Sequence, residues 1–229
     1  MTDRPSVLLS VAASIDGYID DNTDQRLLLS NDEDFDRVDE VRAGVDAILV
    51  GANTIRRDNP RLLVRSAERR EQRQAAGLTE SPIKVTISAS GNLDPSASFF
   101  STGDVDKIVY VPSSASAKAT QTLGEIATVV DSGPTVDLAF VLDDLGRRGI
   151  KRLMVEGGGT MHTQFLSAGL ADEIHLVVAP FLIGDSTAPR FISDAKFPQN
   201  SSHRMNLAEV KQIGDVVLLR YLPRGAASV

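Results

Sequence analysis

Apolar and polar positions fall into alternating blocks along the chain. The first, "SVLLSVAASIDGYI" (6–19), is apolar and β-branched and breaks at the Asp16-Gly17 turn signal. "SNDEDFDRVDEVRAG" (30–44) then reads as a capped helix. Ser30 or Asn31 is the cap, acids fill the first turn, and Phe35, Val38, Val41 and Arg42 share a face. "VDAILVG" (45–51) is an unbroken apolar run, as expected of a strand buried on both faces. A loop follows, then a polar surface helix or an ordered excursion over 67–77. Strands are expected at 81–90, 106–115 and 125–133. Leu138, Val141, Leu142 and Leu145 recur at helical spacing within 137–150. "KRLMVEGGG" is a strand running into a glycine loop, followed by a helix over 160–170. A strand over 172–184 and a terminal hairpin over 207–222 complete the pattern. Strands alternating with helices predict one α/β domain with a mostly parallel sheet, covered on both faces and closed by antiparallel strands.

Composition narrows the partners. Among 229 residues, 24 Lys and Arg face 31 Asp and Glu, so the net charge is 24 − 31 = −7, with no basic run beyond pairs such as Arg69-Arg70. A clustered basic face for nucleic acid is not expected. Neither a signal peptide nor a membrane span is read from the apolar runs. Cysteine is absent and the three histidines (His162, His175, His203) are far apart. No metal site is expected, and a cytoplasmic location fits.

Four stretches carry candidate chemistry, each at a strand end or in the loop after it, where open α/β sheets place ligands. "ASIDG" (13–17), taken alone, reads first as a turn between strands. "GANTIRRDNPRLLVR" (51–65) reads as a long connection, yet it offers a hydroxyl, a carboxylate and four arginines within fifteen residues. "EGGGT" (156–160) is no dinucleotide fingerprint, because His162 stands where a third glycine would be required. It suits a phosphate cradle at a helix N-terminus, or a plain glycine turn. "APFLIG" (179–184) reads as a buried strand end. Each histidine reads as structural or exposed rather than catalytic.

Together these stretches resemble the RibD C-terminal family, the reductase domain of riboflavin biosynthesis. The pattern A-S-x-D-G, G-x-x-T-x-x-x-D-[ND]-P-x-L-x-x-R, V-E-G-G-x-T and a D-E strand with P-x-x-x-G is matched by 13–17, 51–65, 155–160, Asp172-Glu173, Pro180 and Gly184. The resemblance implies a three-layer dihydrofolate reductase-like fold. It further implies NADPH-dependent reduction of the ribosylamino group of a pyrimidine 5′-phosphate to a ribitylamino group, by a homodimer. Ala12, Thr54, Asp58 and the 158–164 loop (Gly158, Gly159, Thr160, Met161) would face the cofactor. Arg42, Leu62, Arg65 and Glu156 would face the substrate, with the arginines on its phosphate and Glu156 as the catalytic candidate. Two departures stand out. The family's Trp-containing segment is "RLLLSNDED" (26–34) here, and a strand end that is commonly Asp-Ser is Ser88-Ala89-Ser90. Without cysteine the chain lacks the zinc deaminase signature to which bacterial members are often fused. Rival readings are a same-fold NADPH reductase acting on dihydrofolate or a secondary-metabolite intermediate, and a non-catalytic nucleotide-binding protein.

Overall fold

A computed structural model describes residues 4–23, 25 and 27–223; Arg26, in the segment that departs from the Trp pattern, lies outside them. The first part of the chain forms β1 (Ser6–Ser14), α1 (Asp32–Ala43), β2 (Ala47–Gly51), α2 (Ala52–Asp58), α3 (Ala67–Ala75), β3 (Ile83–Ile87), α4 (Ser98–Ser101) and β4 (Lys107–Val111). The rest forms α5 (Ser113–Leu123), β5 (Thr128–Asp131), α6 (Leu138–Arg147), β6 (Arg152–Gly157), α7 (Gly159–Ser167), β7 (Glu173–Ala179), β8 (Asn206–Ile213) and β9 (Val216–Leu222). The nine-stranded sheet has the order β5-β4-β3-β2-β6-β1-β7-β9-β8. Strands β2 to β5 pair in parallel, as do β1 and β7, whereas β9 runs antiparallel to both β7 and β8. This is the expected α/β architecture with antiparallel C-terminal strands. Contacts divide the chain into two compact units, one built mainly from Asp39–Met154 and the other from Ser6–Val38 and Val155 onward.

In the first unit, β2 is buried at all five positions, as its apolar run requires. The four apolar positions of α6 are all buried, and Asp137 caps it by accepting from the Ala139 amide at 2.9 Å. Three helices depart from the expectation, α2, α5 and the four-residue α4, which buries Phe99 and Phe100. The stretch expected to be loop after β2 begins at once with α2, which the sequence hides because only Ala52 and Ile55 are buried. Asn59 ends it in the left-handed region (φ 43°), its amide donating to the Ile55 carbonyl at 3.1 Å. The run expected to extend β4 to residue 115 stops at Val111. Pro112 follows, and α5 buries only Ala115, Ala119 and Leu123, too small an apolar stripe to register against its serines and threonines.

In the second unit, Asn31 is the cap of α1: its Oδ1 accepts from the Asp34 amide at 2.9 Å while its Nδ2 donates to the Ile213 carbonyl at 2.8 Å. The expected apolar face of α1, whose residues from Asp39 on belong to the first unit, is only half-buried at Phe35, Val38 and Val41; the buried side chains of this helix are Asp34 and Asp39. Buried carboxylates need partners, and Asp39 leads directly to the candidate site.

Candidate functional site

Within the first unit the residues of the 51–65 motif converge on one short loop. Leu62 takes φ 51° with its side chain buried, an uncommon conformation for a branched residue that persists only when its surroundings hold it. What holds it is a frame of hydrogen bonds on residues 63–66. Arg42 donates to the Leu63 carbonyl at 3.3 Å, and Arg70 donates to the carbonyls of Val64 and Arg65 at 3.1 and 2.6 Å. Ser81 Oγ accepts from the Val64 amide at 2.9 Å. The Asp39 carboxylate accepts from the amides of Arg65 (2.5 Å) and Ser66 (3.1 Å) and from the Arg69 guanidinium (3.0 Å). Burial alone would raise the Asp39 pKa; the two amides and Arg69 outweigh it and hold the carboxyl below its usual range.

The structure thus gathers Arg42, Leu62 and Arg65 at one loop. The Arg65 side chain is 57% exposed and its Nε lies 3.8 Å from Asp39 Oδ1. Thr54 is half-buried and Asp58 exposed, both on α2. The departing segment Ser88-Ala89-Ser90 is spent on a turn, with Ser88 Oγ accepting from the Gly91 amide at 3.1 Å and Ser90 Oγ from Asn92 at 3.3 Å. Arg56 secures that turn by donating to the Asn92 carbonyl at 2.9 Å.

Within the second unit the glycine loop joins β6 to α7. Glu156 is half-buried near the end of β6. Gly158, at φ 81° and ψ 135°, is the N-cap of α7 and provides no side-chain cap; its carbonyl accepts from the Met161 amide at 2.9 Å. Gly159 has a different reason to be glycine. A Cβ there would lie 2.4 Å from the Arg190 carbonyl oxygen, so the protein's own backbone occupies that space. Thr160 is exposed, whereas Met161 is buried and can meet a ligand only through its backbone. His162 is buried beside Phe191, with its ring centroid 5.4 Å away, and burial pushes its pKa down to about 4. Ala12 is half-buried and packs with Leu29 and Phe181 on a cluster that includes Val177, Val216 and Leu218. Leu29 therefore puts an aliphatic group from the segment lacking Trp into that core.

The other two stretches turn out to be one device. Asp16 accepts from Ser14 Oγ at 2.6 Å, from the Ile183 amide at 3.1 Å and from the Gly184 amide at 2.8 Å. Ile15 and Phe181 are joined by a backbone bond at 2.9 Å. The A-S-x-D-G turn thus clamps the P-x-x-x-G loop. Sequence reasoning missed this clamp and the part played by Asp39; the available signals were an acid next to a turn glycine and an acid on the inner face of α1. Among the described residues no group of His, Asp or Glu is arranged to hold a metal, and no helix is long and apolar enough to cross a membrane.

Comparison with known proteins places this geometry. The profile of the RibD C-terminal domain family matches residues 5–219. A 2,5-diamino-6-ribosylamino-4(3H)-pyrimidinone 5′-phosphate reductase of Archaeoglobus fulgidus is 35% identical over 213 residues, covering 93% of this chain and 95% of the relative. The reductase of the same name from Methanothermobacter thermautotrophicus is 30% identical, covering 97% of this chain and 100% of that one. The crystal structure of a pyrimidine reductase-like protein from Corynebacterium diphtheriae superposes with a TM-score of 0.81 at 25% identity, over 97% of this chain and 93% of its own.

Proposed function

The chain belongs to the RibD C-terminal domain family, and from that premise we propose that residues 1–229 act as one reductase domain. It would use NADPH to convert the ribosylamino group of a (di)aminopyrimidine 5′-phosphate into a ribitylamino group, as in riboflavin biosynthesis. The observation that carries the reading is the end-to-end likeness to two relatives named for that reaction. The loop that presents Arg65 supports it. A guanidinium more than half exposed, on a backbone held from both sides, is a suitable grip for a phosphate.

Residue assignments follow the family motifs. Arg42, Leu62, Arg65 and Glu156 are assigned to the substrate, and Ala12, Thr54, Asp58 and Gly158 to Met161 to the cofactor. The N-terminus of α7 suits a pyrophosphate: it has a glycine cap and no side-chain cap. Bound NADPH supplies the hydride. The chain's part is to hold and orient, with Arg65 fixing the phosphate end and Glu156 accepting from a ring amino group or a ribose hydroxyl. The same carboxylate can balance the positive charge of a protonated imine at the sugar carbon that is reduced. Arg42 already serves the loop backbone, so its part in phosphate binding is shared with holding Leu63. We further take the protein to be cytoplasmic and homodimeric. Edge strand β8 exposes Leu207 and Val210, which suits burial against a second copy.

The test is NADPH oxidation by the purified protein with the aminated and the deaminated ribosylaminopyrimidine 5′-phosphates. Turnover of one or both is expected, with the dephosphorylated nucleosides poor substrates. No oxidation with either phosphate would leave the binding-protein reading, and turnover of dihydrofolate alone would move the enzyme to another substrate.

A further inference from the structure

We propose that Asp39 is a positioning residue for substrate binding, whose buried carboxylate sets the backbone at Arg65 and Ser66 and so aims the Arg65 guanidinium at the substrate phosphate. The inference rests on the assignment of Arg65 to that phosphate. Three observations support it. Asp39 is 2% exposed in a helix whose apolar residues are only half-buried, so the carboxylate occupies an inner position that an apolar residue would ordinarily take. Its two oxygens receive two consecutive loop amides, which fixes the direction in which the Arg65 side chain leaves the backbone. It also stands 3.8 Å from the Arg65 Nε and 3.0 Å from the Arg69 guanidinium, so one carboxylate faces both arginines. The carbonyls of the same loop are bound by Arg42 and Arg70, which leaves Asp39 as the support of residues 65 and 66 from the amide side. A guanidinium displaced by an ångström forfeits a bidentate contact, so support for its backbone is felt as affinity.

The decisive variant is Asp39→Asn. It keeps the shape but replaces one oxygen with an NH2 that meets another donor, so a contact is lost whichever way the amide turns. The Michaelis constant for the phosphorylated substrate should rise about tenfold, with kcat at saturation and the cofactor constant changed by less than about twofold. The dephosphorylated substrate should be turned over as before. Arg65→Ala should show the same phosphate-selective loss, and the double variant should be no worse than Arg65→Ala alone, since Asp39 acts through Arg65. Should Asp39→Asn fail to fold, Ser66→Pro replaces it: proline suits φ −64° at that position and removes the amide that Asp39 receives, with Ser66→Ala as the control for the hydroxyl that caps α3 at the Arg69 amide (3.3 Å). The folded Ser66→Pro protein is expected to show a smaller, equally phosphate-selective rise. A selective loss in Arg65→Ala without one in the Asp39 or Ser66 variant overturns the role of Asp39 alone. Equal losses on both substrates in Arg65→Ala overturn the phosphate assignment, and the inference falls with it.

Discussion

A carboxylate at a turn can serve a ligand or the fold, and Asp16 serves the fold. Its oxygens are occupied by Ser14, Ile183 and Gly184, the last two standing beside it in space though about 170 positions away in the chain. The Ser14 hydroxyl chiefly, then the two amides, hold its pKa below the usual carboxylate range. Removing the acceptor should therefore loosen the 181–184 loop. Asp16→Ala is expected to lower the urea midpoint at pH 7, and Asp16→Asn, which keeps one accepting oxygen, to lower it less. Midpoints equal to that of the native protein in both variants would show that the clamp contributes no stability. Sequence inspection finds such a residue as part of a motif but cannot say what it binds, because its partners lie in another motif. Arg65 is different: an arginine in a polar loop that follows a buried strand suggests anion binding by its residue type and position alone. The Asp39 that supports it is hidden, since an acid inside a helix ordinarily reads as a solvated face.

Elements were legible where burial is continuous or strictly periodic, as in β2 and α6, and illegible where it is sparse, as in α2 and α5. The start of α7 shows how one glycine run can meet two demands. A glycine run before a helix suggests close approach of a ligand, and Gly158 with its positive φ remains open to that reading. Gly159 in addition receives the backbone of residues 190–191, which is anchored in turn by Phe191 donating to the Gly17 carbonyl at 3.0 Å and by the Arg190 guanidinium over the Tyr18 ring at 4.5 Å. That anchoring predicts a stability defect. Gly159→Ala must displace a backbone carbonyl rather than a flexible side chain, an overpacking expected to cost about 1–3 kcal/mol. Thr160→Ala, on an exposed neighbour, should cost far less. Chemical denaturation of the two variants without cofactor checks this, and a Gly159→Ala protein as stable as the native one would mean that the 190–191 segment yields freely.

At the scale of the molecule, the perturbed carboxylates among the described residues all shift in one direction. Asp16, Asp21, Asp39, Asp94, Asp131, Asp144, Glu173 and Asp185 are held below their ordinary range. Each binds its proton more readily in the unfolded chain than in the fold, so each withdraws stability as the pH falls. Glu173 shifts furthest, from 4.5 to about 2, because His175 and Arg220 donate to it against the cost of burial. On its other side the His175 Nδ1 lies 3.3 Å from the Arg37 guanidinium. The contribution of Glu173 is whole above about 4.5 and disappears as the pH drops to about 2. His162 acts over a different range. Burial lowers its pKa from 6.5 to about 4, so between those values the unfolded chain takes up a proton that the fold refuses. Stability should therefore decline in two stages on acidification, the first between pH 6.5 and about 4 from His162, the second below about 4.5 from the carboxylates. Urea midpoints measured across this range should show both. In His162→Phe, which cannot titrate and places a ring against Phe191, the first stage should flatten whatever the variant's stability at pH 7. In Glu173→Gln the first stage should persist while the second becomes shallower. A His162→Phe profile parallel to that of the native protein from pH 6.5 to about 4 would mean that His162 is charged within the fold, and that its place beside Phe191 is wetter than its burial implies.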